Sequence, residues 1–186
     1  MVFIYAGLFG LAQDLALVCD VAEAVVAARP FTRFLFVGGG PTFEEISRRV
    51  ADFGDDRIVV ESSRPRDEIA ALLAQADVAV VPLVGSILGA VPSKIYEAMA
   101  SRLAILLIAD GEAAARVSDA NAGMCVAPGD RRAAIAAALE LVDHRELREA
   151  MGRSGRQAAE TLYSRSRQVD QLETVLSAAA NRNQRP

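Results

Sequence analysis

The chain has 186 residues, with 20 basic and 24 acidic side chains for a formal net charge of −4, 5% aromatics and no tryptophan. Without a basic stripe or stacking aromatics, a nucleic-acid-binding role is excluded. The longest apolar runs are strand-length and no signal-peptide pattern is visible, so no membrane span is expected and the location reads as cytoplasmic. The length suits one domain with a sizeable core. Cys19 lies in a helical pattern and Cys125 in a strand-like one, and both read as small core residues. His144, the only histidine, sits in a polar turn and reads as an exposed loop residue. One such histidine argues against a self-contained Ser-His-Asp enzyme and against a His-rich metal site.

In chain order, residues 2–7 form a short apolar strand that begins almost at residue 1, as if continuing from something longer. Leu8-Phe9-Gly10 then turns into a helix over residues 12–28. Gly7 and Gly10 let backbone approach a ligand, or simply form a tight strand-helix turn. A second strand, 34–37, is followed by Gly38-Gly39-Gly40-Pro41 and a helix over 43–51. The Gly-x-Gly-x-x-Gly spacing of dinucleotide sites fails here, so these glycines read as a turn with at most backbone contacts to a ligand. A strand over 57–60, a polar loop over 61–66 and a helix over 67–76 lead to a strand over 78–83. Further on come a strand over 103–108, a helix opened by Asp110-Gly111-Glu112 and running to about residue 121, and a short strand over 124–126. Helices over 131–142, 146–161 and 164–179 finish a domain of residues 1–180, leaving 181–186 as a frayed tail. This alternation predicts an α/β fold, a Rossmann-like doubly wound six-stranded parallel sheet. Ligands of such sheets bind at the carboxyl ends of strands near the switch point. The loops after strands one, four and five would then gather Gly7, Gly10, Lys94, Glu97 and Glu112 around one crevice.

The stretch that organises this reading is Val91-Pro92-Ser93-Lys94-Ile95-Tyr96-Glu97-Ala98-Met99-Ala100, reached from the fourth strand through a loop with Gly85, Ser86 and Gly89. Pro92 and Ser93 offer helix-start chemistry. A helix start at the end of a parallel strand is an anion site, because free amide hydrogens converge where the macrodipole is positive. Lys94 adds a full charge there. Glu97, three residues on and on the same face, offers an acceptor for sugar hydroxyls. Lys94 is the only lysine, against nineteen arginines, so a compact point charge is wanted at this place. The alternative is an ordinary surface pair on a capped helix.

Taken together, Tyr5-Ala6-Gly7, Gly38-Gly39-Gly40-Pro41, Ala76-Asp77-Val78, Val81-Pro82-Leu83, the Pro92-Ser93-Lys94…Glu97 stretch, Asp110-Gly111-Glu112-Ala113, Ala122-Gly123 and Pro128-Gly129-Asp130 resemble the C-terminal, donor-binding domain of a GT-B glycosyltransferase of retaining family 4. The Pro-Ser-Lys form is similar to the branch that builds bacterial cell-surface polysaccharides. The resemblance covers residues 1 to about 176. It implies one half of a GT-B fold, a nucleotide-sugar donor with UDP favoured, a missing N-terminal domain, and a glycan or polyprenyl-linked acceptor. It also implies no metal or other cofactor, and a fragment inactive by itself. By the same resemblance Glu97 holds the donor ribose, Lys94 and Ser93 at the helix start meet the diphosphate beside Gly7 and Gly10, and residues 61–65 meet the base. Gly111 and Glu112 line the sugar end. The sequence departs from the family at Gly89, where a sugar-recognising Glu is usual, and at Leu8 and Gln13, where Arg and Lys neutralise the diphosphate. Asp14 stands where Gly is usual, and Ala100-Ser101-Arg102-Leu103-Ala104 replaces Ala-x-Gly-x-Pro. A non-catalytic nucleotide-sugar-binding or scaffold subunit, a GT-B-fold sugar-nucleotide epimerase and a plain regulatory domain are the other readings.

Overall fold

Six parallel strands carry the molecule: β1 (Val2–Leu8), β2 (Arg33–Gly39), β3 (Ile58–Glu61), β4 (Val78–Pro82), β5 (Ala104–Ile108) and β6 (Gly123–Val126), in the spatial order β3-β2-β1-β4-β5-β6. The computed structural model describes residues 1–85 and 89–182. Ser86 of the expected glycine-serine loop and residues 183–186 of the expected tail lie outside the described residues. The helices are α1 (Leu15–Ala28), α2 (Phe43–Phe53), α3 (Arg66–Leu73), α4 (Ser93–Ala100), α5 (Gly111–Asp119), α6 (Arg131–Asp143), α7 (Arg145–Thr161) and α8 (Arg165–Arg182).

The sheet is Rossmann-like and doubly wound, and the strand alternation explains its three layers. Side chains of successive strand residues point to opposite faces. Phe3, Tyr5, Phe34, Phe36, Val78, Val80, Leu106 and Ile108 face a core shared with α1, α2 and α6. Ile4, Ala79, Val81, Ile105 and Leu107 face a second core shared with α3, α4, α5 and α7. Every residue of β4 and β5 is buried, as strands covered by helices on both faces require. Phe3 and Phe34, opposite each other in register, stack with ring centroids 4.5 Å apart.

Register also opens the site. β1 pairs with β2 along its whole length, Val2 to Leu8, but with β4 only at Phe3 and Ile4. The order of strands reverses at this same place, so the carboxyl ends of β1 and β4 diverge into a crevice.

Local departures from the sequence reading have physical causes in three cases. The expected helix from residue 12 is a 3-10 turn (Leu11–Gln13) and then α1, because Asp14 takes a left-handed φ of +28° and its carboxylate accepts the Leu17 amide at 3.3 Å. The third helix stops at Leu73, since Gln75 and Ala76 bond three residues back, to Leu72 and Leu73, and tighten the last turn. Cys125 is exposed, contrary to expectation: β6 is an edge strand, and its outward side chain meets Ser118 and the Ala114 carbonyl. Cys19 is buried as expected, and burial pushes its thiol up to about 12. The last helix reaches Arg182, beyond the expected end at 179.

Candidate functional site

The helix that follows β4 begins at Ser93, with Pro92 in an extended conformation before it and, among the described residues, no side chain capping its start. The positive end of the helix dipole lies at this start, where the Ile95 amide donates to the Pro92 carbonyl at 3.1 Å. Lys94, at the second position, lays its side chain across the end of β1. A Cβ at Gly7 would overlap the Lys94 Cε and stand 2.8 Å from Nζ, so the lysine occupies the space that the missing side chain leaves. Gly7 has φ +145°, a conformation that glycine adopts without strain. The ammonium stands 5.3 Å from the centroid of the Tyr5 ring. Among the described residues no carboxylate lies within ion-pair distance of it. Burial pulls the Lys94 pKa below the ordinary lysine value, and the charge of Glu97, one turn on, pushes it back in part.

Beside Gly7 lies a pocket of about 430 Å³, lined by Gly7, Gly38, Gly39, Ser63, Arg66 and Glu97 among others. Two strand ends make its floor. Gly38 lies so close to β1 that a Cβ there would run into the Gly7 carbonyl oxygen. The turns after β1 and β2 are stitched together by Phe9 N–H donating to the Gly39 carbonyl at 2.9 Å and Thr42 N–H donating to the Phe9 carbonyl at 3.0 Å. The far wall is the loop before α3. Arg64 is held there by Glu61 at 2.7 Å and Glu68 at 3.2 Å, while Arg66 makes no ion pair among the described residues.

The crevice thus brings Gly7, Lys94 and Glu97 together. Ser93 is exposed at the helix start beside them. Gly10, Gly111 and Glu112 are not among the residues that line the pocket. Gly10 is buried at the entry to the 3-10 turn, and a Cβ there would meet the Gln13 carboxamide oxygen, itself buried with no hydrogen-bond partner among the described residues. Gly111 opens α5 with φ +63°, and Glu112 pairs with Arg116 at 2.9 Å one turn along. His144 stands between α6 and α7, exposed and 3.4 Å from Glu140. Sequence reasoning missed Tyr5 beneath the lysine and Arg66 and Ile69 in the pocket wall. Only the aromatic two residues before Gly7 could have signalled the first. Among the described residues no three His, Cys, Asp or Glu side chains gather as a metal site, and no helix is long and apolar enough to cross a membrane.

A doubly wound parallel sheet whose strand order reverses between β1 and β4, with a glycine at the end of β1 and a lysine on the helix after β4, defines a Rossmann-like α/β domain. The sequence profile of the glycosyl transferases group 1 family matches residues 1–144, and the chain belongs to that family. The 2-deoxystreptamine glucosyltransferase of Streptomyces kanamyceticus is 34% identical over 110 residues, 59% of this chain and 27% of that protein. Among solved structures, Anabaena HepE in complex with UDP and glucose superposes with a TM-score of 0.80 at 15% identity, over 95% of this chain and 48% of that one. The C-terminal domain of LpcC, a group 1 family protein from Francisella tularensis, gives 0.72 at 19% identity, over 88% of this chain and 86% of that one. These structural likenesses speak for the fold. The chain spans about a quarter of the length of the curated relative it matches.

Proposed function

We propose that this chain is the donor-binding domain of a retaining family 4 glycosyltransferase that takes a nucleoside-diphosphate sugar, with UDP as the favoured base carrier. The observation that carries the reading is the pairing of Lys94 and Glu97 on one face of α4 beside Gly7. In this reading the diphosphate lies against the uncapped start of α4 with Lys94 as its counter-charge, Ser93 adds a hydroxyl, and Glu97 accepts from the ribose hydroxyls. The base enters the pocket bounded by Gly38, Gly39, Ser63 and Arg66. The sugar points along the crevice toward Gly111 and Glu112. As the bond between the sugar carbon and the diphosphate breaks, negative charge grows on the phosphate oxygens, and a fixed ammonium and amide hydrogens stabilise it. Lys94 does this without a metal ion. The acceptor, a glycan or a lipid-linked sugar of cell-surface polysaccharide synthesis, is held by a further N-terminal domain, so the isolated chain binds the donor and transfers nothing.

Titration calorimetry with UDP, GDP and UMP tests the reading. The expected result is UDP binding that Lys94→Met weakens, and UMP binding that the same change affects less, because only UDP carries the outer phosphate. Absence of binding to all three nucleotides, or UDP binding indifferent to Lys94→Met, would overturn it. A second reading, a nucleotide-sugar-binding subunit that transfers nothing in any assembly, draws on Gly89, which takes the place of an acid. Transfer by this chain joined to its acceptor half distinguishes the two.

A further inference from the structure

Lys94 is held from below by Tyr5 of β1, which is not among the residues that line the pocket, and by the gap at Gly7, which is. The Tyr5 ring is buried and lies 5.3 Å from Nζ. Phe9 packs edge-on against it, with centroids 5.7 Å apart and an interplanar angle of 81°, so the ring has no room to turn aside. Its hydroxyl donates to the Leu8 carbonyl and fixes the chain where it leaves β1. Gly7 supplies the room through which the lysine stem passes.

An aromatic support differs from a carboxylate in one respect that matters here. A carboxylate would hold the ammonium and neutralise it. A ring face attracts the cation through its quadrupole and leaves the net charge in place. A lysine stem has four rotatable bonds, and without a support its ammonium samples many positions. We propose that Tyr5 is a positioning residue: with Gly7 it forms a neutral aromatic seat that fixes the Lys94 ammonium at the switch point with its charge free for the donor diphosphate. The ligand in this statement rests on the proposed function; the seat itself is tested without any ligand.

Because Lys94 is the only lysine, protein grown on 13C-lysine carries one labelled residue, and its ε-methylene resonances need no assignment. The seat predicts ε-proton shifts displaced upfield by the Tyr5 ring in the wild-type chain, lost in Tyr5→Leu and restored in Tyr5→Phe. It also predicts UDP affinity about three- to tenfold lower in Tyr5→Leu, largely recovered in Tyr5→Phe. That loss should vanish in a Lys94→Met background, since the ring then has no cation to hold. Free-lysine shifts in the folded wild-type chain overturn the seat, and this measurement needs no variant to fold. An equal affinity loss from Tyr5→Leu with and without Lys94 overturns the positioning role. A displaced lysine signal together with UDP binding indifferent to Lys94→Met supports the seat and overturns the donor reading instead.

Discussion

The arginines at the amino edge of the sheet and Lys94 at its carboxyl edge are held in opposite ways. At the amino edge, Arg29 bonds Asp143 through two nitrogens at 2.7 and 2.6 Å. Arg57 pairs with Asp55 and donates to the Val26 carbonyl at 2.8 Å. Arg148 donates to the Leu141 carbonyl at 2.6 Å and stands 4.0 Å from Asp77, whose carboxylate accepts the Val2 amide at 2.8 Å. These guanidinium forks tie loops and helix ends together, and the geometry suits arginine. At the carboxyl edge, among the described residues, Lys94 has no carboxylate partner and no side chain caps the start of α4, and Leu8 and Leu11 are 58% and 80% exposed. The arginines named at the amino edge are neutralised within the fold, although Phe31 is left exposed there; at the carboxyl edge Arg64 is neutralised by Glu61 and Glu68, and Lys94 is the cation whose support is not a carboxylate.

The largest expected effect comes from removing the unmatched charge. Lys94→Met should lower UDP affinity roughly 10- to 100-fold, the scale of a charge-assisted bond to phosphate, with little change in the urea midpoint. Calorimetry and urea titration check both halves. The same contrast has a pH signature. Since burial holds the Lys94 pKa below its ordinary value of 10.5, the ammonium loses its proton earlier than a free lysine does. The affinity ratio of wild type to Lys94→Met should therefore be largest near neutrality and fall toward one as pH rises through that lowered value. A ratio that stays constant up to the ordinary lysine range would place the ammonium in open water.

Arg148→Ala breaks the other edge. Its side chain is 12% exposed and holds the Leu141 carbonyl. Losing a buried charged donor should cost about 1–2 kcal/mol of stability, read as a lower urea midpoint, with UDP affinity unchanged. If Arg148→Ala weakened nucleotide binding as much as Lys94→Met does, the division between the edges would be false.

The sheet and the place of Lys94 are legible in the sequence, and the arginine ties of the amino edge are not. The sheet was readable because β4 and β5 are unbroken apolar runs and the helical stretches keep a helical period. The placement of Lys94 and Glu97 on one face of a helix start was readable because a single lysine in an arginine-using chain stands just after Pro92-Ser93. Tyr5 was not, because an aromatic in an apolar strand looks like any core residue; its role depends on β1 and β4 parting after Ile4, which is a matter of tertiary register. Arg66 and Ile69 were missed because the pocket wall is assembled from a loop and a helix that only the fold sets against Gly38 and Gly39. Cys125 was misjudged because an apolar pattern does not tell an edge strand from a central one.

The smallest expected effect concerns the turn below α4, where Arg102 stands at the place that the resemblance gives to glycine. The chain keeps the turn: Ser101 N–H donates to the Glu97 carbonyl at 3.0 Å, Leu103 N–H to the Ala98 carbonyl at 3.0 Å, and Arg102 sits between them at φ +61°. That is the left-handed position at which helices usually end on glycine. An L-residue there costs roughly 1–2 kcal/mol, while glycine's extra freedom in the unfolded chain returns about half of that. Arg102→Gly should therefore stabilise by about 0.5–1 kcal/mol, or roughly 1–4 °C in melting temperature for a domain of this size. UDP affinity should not move, since the turn lies at the amino edge and the crevice at the other end of α4. A gain in nucleotide affinity would mean that this turn sets the pitch at which α4 presents Lys94, and that the two edges are mechanically joined through one eight-residue helix.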